Sequence, residues 1–378
     1  MQPAPLTPLA MTTPLRVSVL TREAHKDGTW VTSLVKAIQS KLSKQFSVEI
    51  VSVERADQCD AVLMPPNGKP QCDLLVNRVS DAAPPATVKK TAAILALFEL
   101  HGLPVINGHK CFSVGTSKWL HHQVLESAGC SVPRSVAISR LDGDTERFRC
   151  ALRSATCDLM GLGCKWPLLL KPNSGGFGEG IASISSIEEL EQWADKESAD
   201  GSTATDGITV LQECLTPREN KFYRVWFVGG KICAAVAVVR PTGVAEGALF
   251  TGGCVGSCSL KERLAAPVFT TWDPPAEVQE RVLKAAEIAE ADCGSIELLY
   301  DSHTDRAFYF DLNMVTTLPE PESPNPARDP ENLWGSGYDF YSELADYIVV
   351  RLPSPHKQEA AAMLTSNEHS TFGRSFEL

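Results

Sequence analysis

The chain lacks any apolar run near the ~20 residues of a membrane span. It has no cluster of Lys and Arg, and its net charge of −11 argues against a nucleic-acid surface. No His-Glu-x-x-His spacing occurs among its eight histidines, and His121-His122 is expected as a solvated pair on a helix surface. Cys254 and Cys258 form a tight pair without the second pair that a zinc site needs. The other cysteines are scattered, which suits a reducing compartment better than a disulfide framework. No basic region opens the first residues, and no prenylation box or Ser-Lys-Leu ending closes the last. The expectation is a cytoplasmic protein without a membrane or nucleic-acid partner, for which a homodimer is allowed.

What is present is ordinary for a globular protein, with 43% hydrophobic and 21% charged residues in 378, enough for two or three packed units. Residues 1–14, rich in Pro, Thr and Ala, and the polar residues 354–378 are expected to be flexible ends. Between 15 and 110 strands and helices alternate: Leu15–Leu20, a helix over Trp30–Gln45, Phe46–Val53, Asp73–Arg78, a helix over Thr87–His101, and Pro104–Asn107. That is a small α/β unit. Asp195–Gly207 is polar and expected as a loop, and Pro319–Asn332, with five prolines, as a second long loop.

The most informative stretch is Gly294–Tyr300 followed by Tyr309–Asn313, two apolar strand-like runs around Asp301-Ser-His-Thr-Asp305. A hairpin tightened on those five residues sets Tyr300 opposite Arg306 and Glu297 opposite Tyr309. Side chains two apart share a face, so Glu297, Asp311 and Asn313 project together, with the two acids roughly 7 Å apart on a diagonal. A solvated acidic face would read the same, but the residues between are too apolar for an exposed ribbon. Oxygen ligands of this kind suit magnesium.

Upstream, Trp166–Leu170 is a buried-looking strand, Lys171 follows, and Ser174–Gly180 is a loop with four glycines: Gly175, Gly176, Gly178 and Gly180. Glycine lets backbone N–H groups converge on phosphates. The spacing is not a Walker loop, and the strand-like Ile181–Ser185 after it excludes a Rossmann fingerprint. Alone the loop could equally be an ordinary glycine-rich hairpin.

The order of these motifs resembles the ATP-grasp superfamily, most closely its ligases of the RimK and glutathione-synthetase type. The resemblance runs over roughly residues 105–350 and implies an ATP-grasp fold, α+β in its ATP-binding part, behind the α/β unit. A lid would span 111–211 and a C-terminal subdomain 212–353. Lys118, which opens a helix, and Lys171 would meet phosphates. Ser174, Gly175, Gly176 and Gly178 would close over them. Gln212, Glu213, Cys214 and Leu215 would form the adenine-binding hinge, and Glu219 would hold the ribose. Glu297, Asp311 and Asn313 would bind one or two Mg2+ ions, with Arg240 and Arg224 at the transferred phosphoryl group.

The implied reaction joins a carboxylate to an amine through an acyl phosphate, using ATP and Mg2+ and releasing ADP and phosphate. Three departures bear on that reading. The acids are reversed, Glu297 first and Asp311-Leu-Asn313 second, and Asp-x-Asn also occurs in inositol polyphosphate kinases of the superfamily. Phe222 stands where RimK-like ligases carry an acid, and Met314–Pro319 replaces the usual small polar tail. A hydroxyl-directed small-molecule kinase and a non-catalytic nucleotide-binding module are the alternatives.

Overall fold

The computed structural model describes residues 15–41, 46–63, 68, 70–140, 144–176, 178, 180–200, 205–239, 268–316 and 339–352. The two expected flexible ends, the proline-rich stretch 319–332, Arg240 and the Cys254/Cys258 pair lie outside the described residues.

The first unit is a parallel sheet built from β1 (Leu15–Thr21), α1 (Thr29–Lys41), β2 (Phe46–Ser52), α2 (Ala56–Val62), β3 (Leu74–Asn77), α3 (Pro85–Leu100) and β4 (Val105–Ile106). Its strand order is β2-β1-β3-β4. β3 is buried along its whole length, as a strand covered on both faces must be. Val31, Leu34 and Ile38 recur at helical spacing and seat α1 on the sheet.

After α4 (His109–Gly115) and α5 (Lys118–Ser127), the stretch expected as the lid forms an antiparallel sheet in the order β5-β8-β6-β7. It contains β5 (Ser135–Ser139), α6 (Thr145–Gly161), β6 (Leu168–Pro172), β7 (Ala182–Ile184), α7 (Ile187–Asp200) and β8 (Ile208–Glu213). Here the expected loop from Asp195 is corrected: residues 195–200 are the end of α7. Leu190 and Ala194, four apart, anchor the helix in the lid core, and Glu188 and Glu189 suit its first turn. That burial outweighs the polar tail.

The third sheet carries β9 (Lys221–Val228), β10 (Lys231–Val239), β11 (Val268–Thr271), β12 (Cys293–Tyr300) and β13 (Ala307–Asn313), in the order β11-β10-β9-β12-β13. Gly229 and Gly230 turn β9 into β10, both with positive φ. α8 (Ala276–Ile288) and α5 cover one face, packing on Val225, Phe227 and Ile296. The other face is apolar at two ends only. At one end Trp226 and Cys293 join a core with α1 and α9 (Phe340–Arg351), and at the other Phe222 packs with Leu299. The charged row lies between.

Asn107, just after β4, bolts the first sheet to the third. Its side chain accepts from the N–H groups of Asp292 and Cys293 and donates to the carbonyls of Cys293 and Met314. Every partner is buried backbone, so the four bonds satisfy groups that would otherwise be costly orphans. The two strands that carry the expected metal ligands, β12 and β13, are thereby held against the first unit.

Candidate active site

Three side chains line up across the third sheet. Arg224 on β9 pairs in register with Glu297 on β12, and Glu297 pairs with Asp311 on β13. The Arg224 guanidinium contacts the Glu297 carboxylate directly and lies 5.7 Å from the Trp226 ring centre. Asp311 Oδ1 is 3.2 Å from Nδ1 of His121, because α5 runs along the edge strand β13. Asn313 Nδ2 donates to Asp311 Oδ2 at 2.8 Å.

The hairpin register expected from sequence is corrected here. Tyr300 faces Ala307, not Arg306, because the Asp301 N–H bonds the Arg306 carbonyl and Asp305 takes a positive φ, lengthening the turn. Carried on unbroken, that register would set Glu297 opposite Phe310 and leave Asp311 on the other face. A bulge at Phe310 inserts one residue and puts Glu297 opposite Asp311. The three predicted ligands do share a face, with the acids directly opposed.

Burial alone would raise the Asp311 carboxyl. The His121 contact, the charge of Lys118 and the Asn313 amide outweigh it and hold Asp311 well below the usual carboxylate range. It is ionised at any physiological pH. Among the described residues no three His, Cys, Asp or Glu side chains are grouped so as to hold a metal ion by themselves. Two acids and an amide on one face are a partial oxygen set that suits magnesium with phosphate oxygens completing its shell.

Facing this row is the lid lysine. Lys171 on β6 is only 6% exposed, and burial pushes its pKa down to about 8 against the opposing pull of Asp311. Its Nζ donates to Gln212 Oε1 and sits 6.0 Å from the ring centre of Phe310, the bulge residue. Lys118, first residue of α5 after the cap Ser117, donates to the Gly175 carbonyl. Gly175 and Gly178 have positive φ, so the glycine loop uses the conformation that glycine permits.

The four residues expected at the hinge make different contacts. Gln212 also donates to Ser135 Oγ at 2.9 Å, while Glu213 accepts from the Arg134 N–H at 2.8 Å. Cys214 is half-buried, and Leu215 packs beside Phe222 and Leu299. The Glu219 side chain is 61% exposed and paired with Lys221, and its backbone has a positive φ. Ser174 is half-buried in the loop.

Sequence reasoning missed four residues. His121 is 3% exposed, so the expected solvated pair is corrected: His121 turns inward to Asp311, while the His122 ring stacks on Trp119. Its spacing with buried Val124 and Leu125 on α5 was the available signal. Asn173 ties three elements, accepting from Ser117 Oγ and the Trp119 N–H and donating to Asp206. Arg78 is buried, donating to the Thr316 carbonyl at 3.3 Å with its guanidinium 4.6 Å from the Trp30 ring centre. Asp81, on the same loop after β3, places its carboxylate against Gly176. No local pattern marks the last three.

This arrangement of one parallel and two antiparallel sheets matches solved structures along nearly the whole chain. The ATP-grasp ligase PsnB complexed with minimal precursor is 16% identical, with a TM-score of 0.59 over 89% of this chain and 99% of that one. The chain has the ATP-grasp fold. VanG D-Ala:D-Ser ligase from Enterococcus faecalis is 14% identical, with a TM-score of 0.60 over 89% of this chain and 98% of its own. D-alanine–D-alanine ligase from Bacillus anthracis complexed with ATP is 13% identical, with a TM-score of 0.57 over 94% and 99%. No protein-family model and no curated protein matches the sequence. No helix among the described residues of this ATP-grasp chain is long and apolar enough to cross a membrane.

Proposed function

We propose that this ATP-grasp protein is a ligase that joins a carboxylate to an amine at the expense of ATP and Mg2+. The carrying observation is the row Arg224–Glu297–Asp311 facing Lys118, Lys171 and the glycine loop. Two cations and a backbone cradle on one side, with two acids and an amide on the other, suit a triphosphate with its cation. The fold neighbours are ligases by name, one in complex with ATP and another with Mg and ADP. That supports the ligase over the kinase alternative that Asp311-Leu-Asn313 allows.

Lys171 and Lys118 would hold the phosphates, and the hinge backbone from Gln212 to Leu215 the adenine. Glu219, exposed at the hinge, remains the ribose candidate. Glu297, Asp311 and Asn313 would hold magnesium, which when bound supplies positive charge to the oxygens of the transferred group. Arg240, and Arg224 once released from Glu297, would steady the phosphoryl group as it meets the substrate carboxylate. The glycine loop closing above them would keep water from the acyl phosphate. The amine then displaces phosphate and forms the amide, leaving ADP and phosphate.

The test supplies ATP, Mg2+ and pooled carboxylic acids with hydroxylamine in place of the amine. ADP together with a hydroxamate marks the ligase. A phosphorylated product that hydroxylamine does not intercept marks the kinase, and absence of ADP marks a module without turnover.

A further inference from the structure

We propose that Asp81 receives the amine substrate as an ammonium ion, binding it against the γ-phosphate end of the nucleotide site. This rests on the ligase reading above.

The placement is specific. Asp81 follows β3 on the first unit, and its carboxylate reaches across to the lid. A Cβ on Gly176 would come within 3.2 Å of Asp81 Oδ1, so the loop and the acid are in close approach. The groups that face Asp81 are Lys118 and His121 from α5 and Asp311 from β13. Lys118 is engaged with the Gly175 carbonyl and Asp311 with Asn313, while His121 Nδ1 lies 3.2 Å from Asp311 Oδ1. Arg78, the nearest cation in sequence, turns away to Thr316 and Trp30. Among the described residues no cationic nitrogen lies within ion-pair distance of Asp81.

Burial pushes the Asp81 carboxyl up and Asp311 adds to this, while Lys118, His121 and the Ala82 N–H oppose it without overcoming it. A triphosphate entering beside it would be repelled. An ammonium ion between Asp81 and the γ-phosphate satisfies both anions. It also sets the nitrogen beside the group that becomes the acyl phosphate, where the ammonium gives a proton to the Asp81 carboxylate, its freed lone pair attacks the acyl carbon and phosphate leaves. The acid thus selects an amine that arrives protonated and rejects a neutral hydroxyl acceptor.

Calorimetry on the full chain tests this with Mg·AMPPNP and Mg·ADP, for wild type, Asp81→Asn and Asp81→Ala. The expected result is that both variants tighten AMPPNP relative to ADP by at least about threefold, since only AMPPNP brings a charge to that end. Methylammonium chloride should tighten AMPPNP on the wild type and not on either variant, against tetramethylammonium chloride at equal ionic strength. An unchanged AMPPNP-to-ADP ratio would overturn the proposal. Weaker binding of both nucleotides in the variants would overturn it too, marking Asp81 as a metal ligand. If the wild type bound neither nucleotide, the ligase reading itself would fall; nucleotide binding with an unchanged ratio would sink Asp81 alone.

Discussion

Glu297 stands opposite Asp311 because Phe310 is the extra residue of a β-bulge. An unbroken ladder from Tyr300 and Ala307 would send the two carboxylates to opposite faces of the sheet. The bulge also brings the Phe310 ring beneath Lys171. One irregularity therefore sets both the acid pair and its distance from the lid lysine.

Asp311→Asn tests the acid pair. The change keeps side-chain volume but removes a carboxylate that His121, Lys118 and Asn313 hold ionised, so the melting temperature at neutral pH should hold or fall slightly. Turnover should fall at least ~100-fold, the scale of losing one preorganised electrostatic contact. Mg·AMPPNP binding measured by calorimetry should weaken in parallel. Wild-type rates at saturating magnesium would remove the basis for reading Glu297, Asp311 and Asn313 as a metal site.

Two glycines give a contrast in how tightly the metal strands are packed. An added Cβ at Gly294 would meet the Asn313 backbone oxygen at 2.7 Å and the Phe227 ring at 3.0 Å, neither of which can swing away. Gly294→Ala should destabilise by about 1–3 kcal/mol. At Gly115 the added Cβ meets only Met314 side-chain atoms, the nearest at 2.8 Å, which can re-rotamer. Gly115→Ala should stay within about 1 kcal/mol of wild type in urea denaturation. Equal losses in both would contradict the packing around Asn313.

How far the sequence could be read is visible in these same strands. Alternation along Glu297, Asp311 and Asn313 revealed the shared face, because period-two patterning is a property of each strand alone. The bulge was hidden, since it depends on how the two strands pair. The expected register lay two residues from the true one at Glu297, an even offset that kept the face right for the wrong reason. His121 was misjudged because local polarity says nothing of Asp311, which lies 190 positions later. Asp195–Asp200 was misjudged because the anchor of α7 is upstream, at Leu190 and Ala194. Asn173 and Asp81 act across gaps of more than fifty residues and leave no periodic trace.

Asn173 should be the most damaging polar residue to remove from the lid. It is 3% exposed, and Asn173→Ala would strand the Trp119 N–H at 2.8 Å, the Ser117 hydroxyl and Asp206 together. A loss of about 1–3 kcal/mol is expected from those groups. Since Trp119 and Ser117 flank Lys118, the KM for ATP should rise as well. A stability loss with unchanged nucleotide affinity would show that α5 keeps Lys118 in place without Asn173.

Lys171 yields two pH dependences of opposite sign. Its folded pKa of about 8 lies below the ordinary 10.5, because burial disfavours the charged form. A bound phosphate favours that form and raises the pKa, so nucleotide binding takes up a proton above pH 8. Affinity for Mg·AMPPNP should be greatest below about pH 8 and fall as pH rises through that value. Stability runs the other way. Between about 8 and 10.5 the unfolded chain holds the proton that the folded chain releases, so this residue's contribution to stability rises with pH. Lys171→Met removes the buried charge. It should be more stable than wild type at neutral pH, with the gap narrowing toward pH 10.5, and its nucleotide affinity should be lower and lose the step near 8. Turnover should drop at least ~100-fold if Lys171 meets the transferred charge. Calorimetry and thermal melts across pH 6.5–10 on both proteins check all of these at once. A step near pH 8 that survives in Lys171→Met would assign the titration to another group and leave Lys171 a structural strand residue.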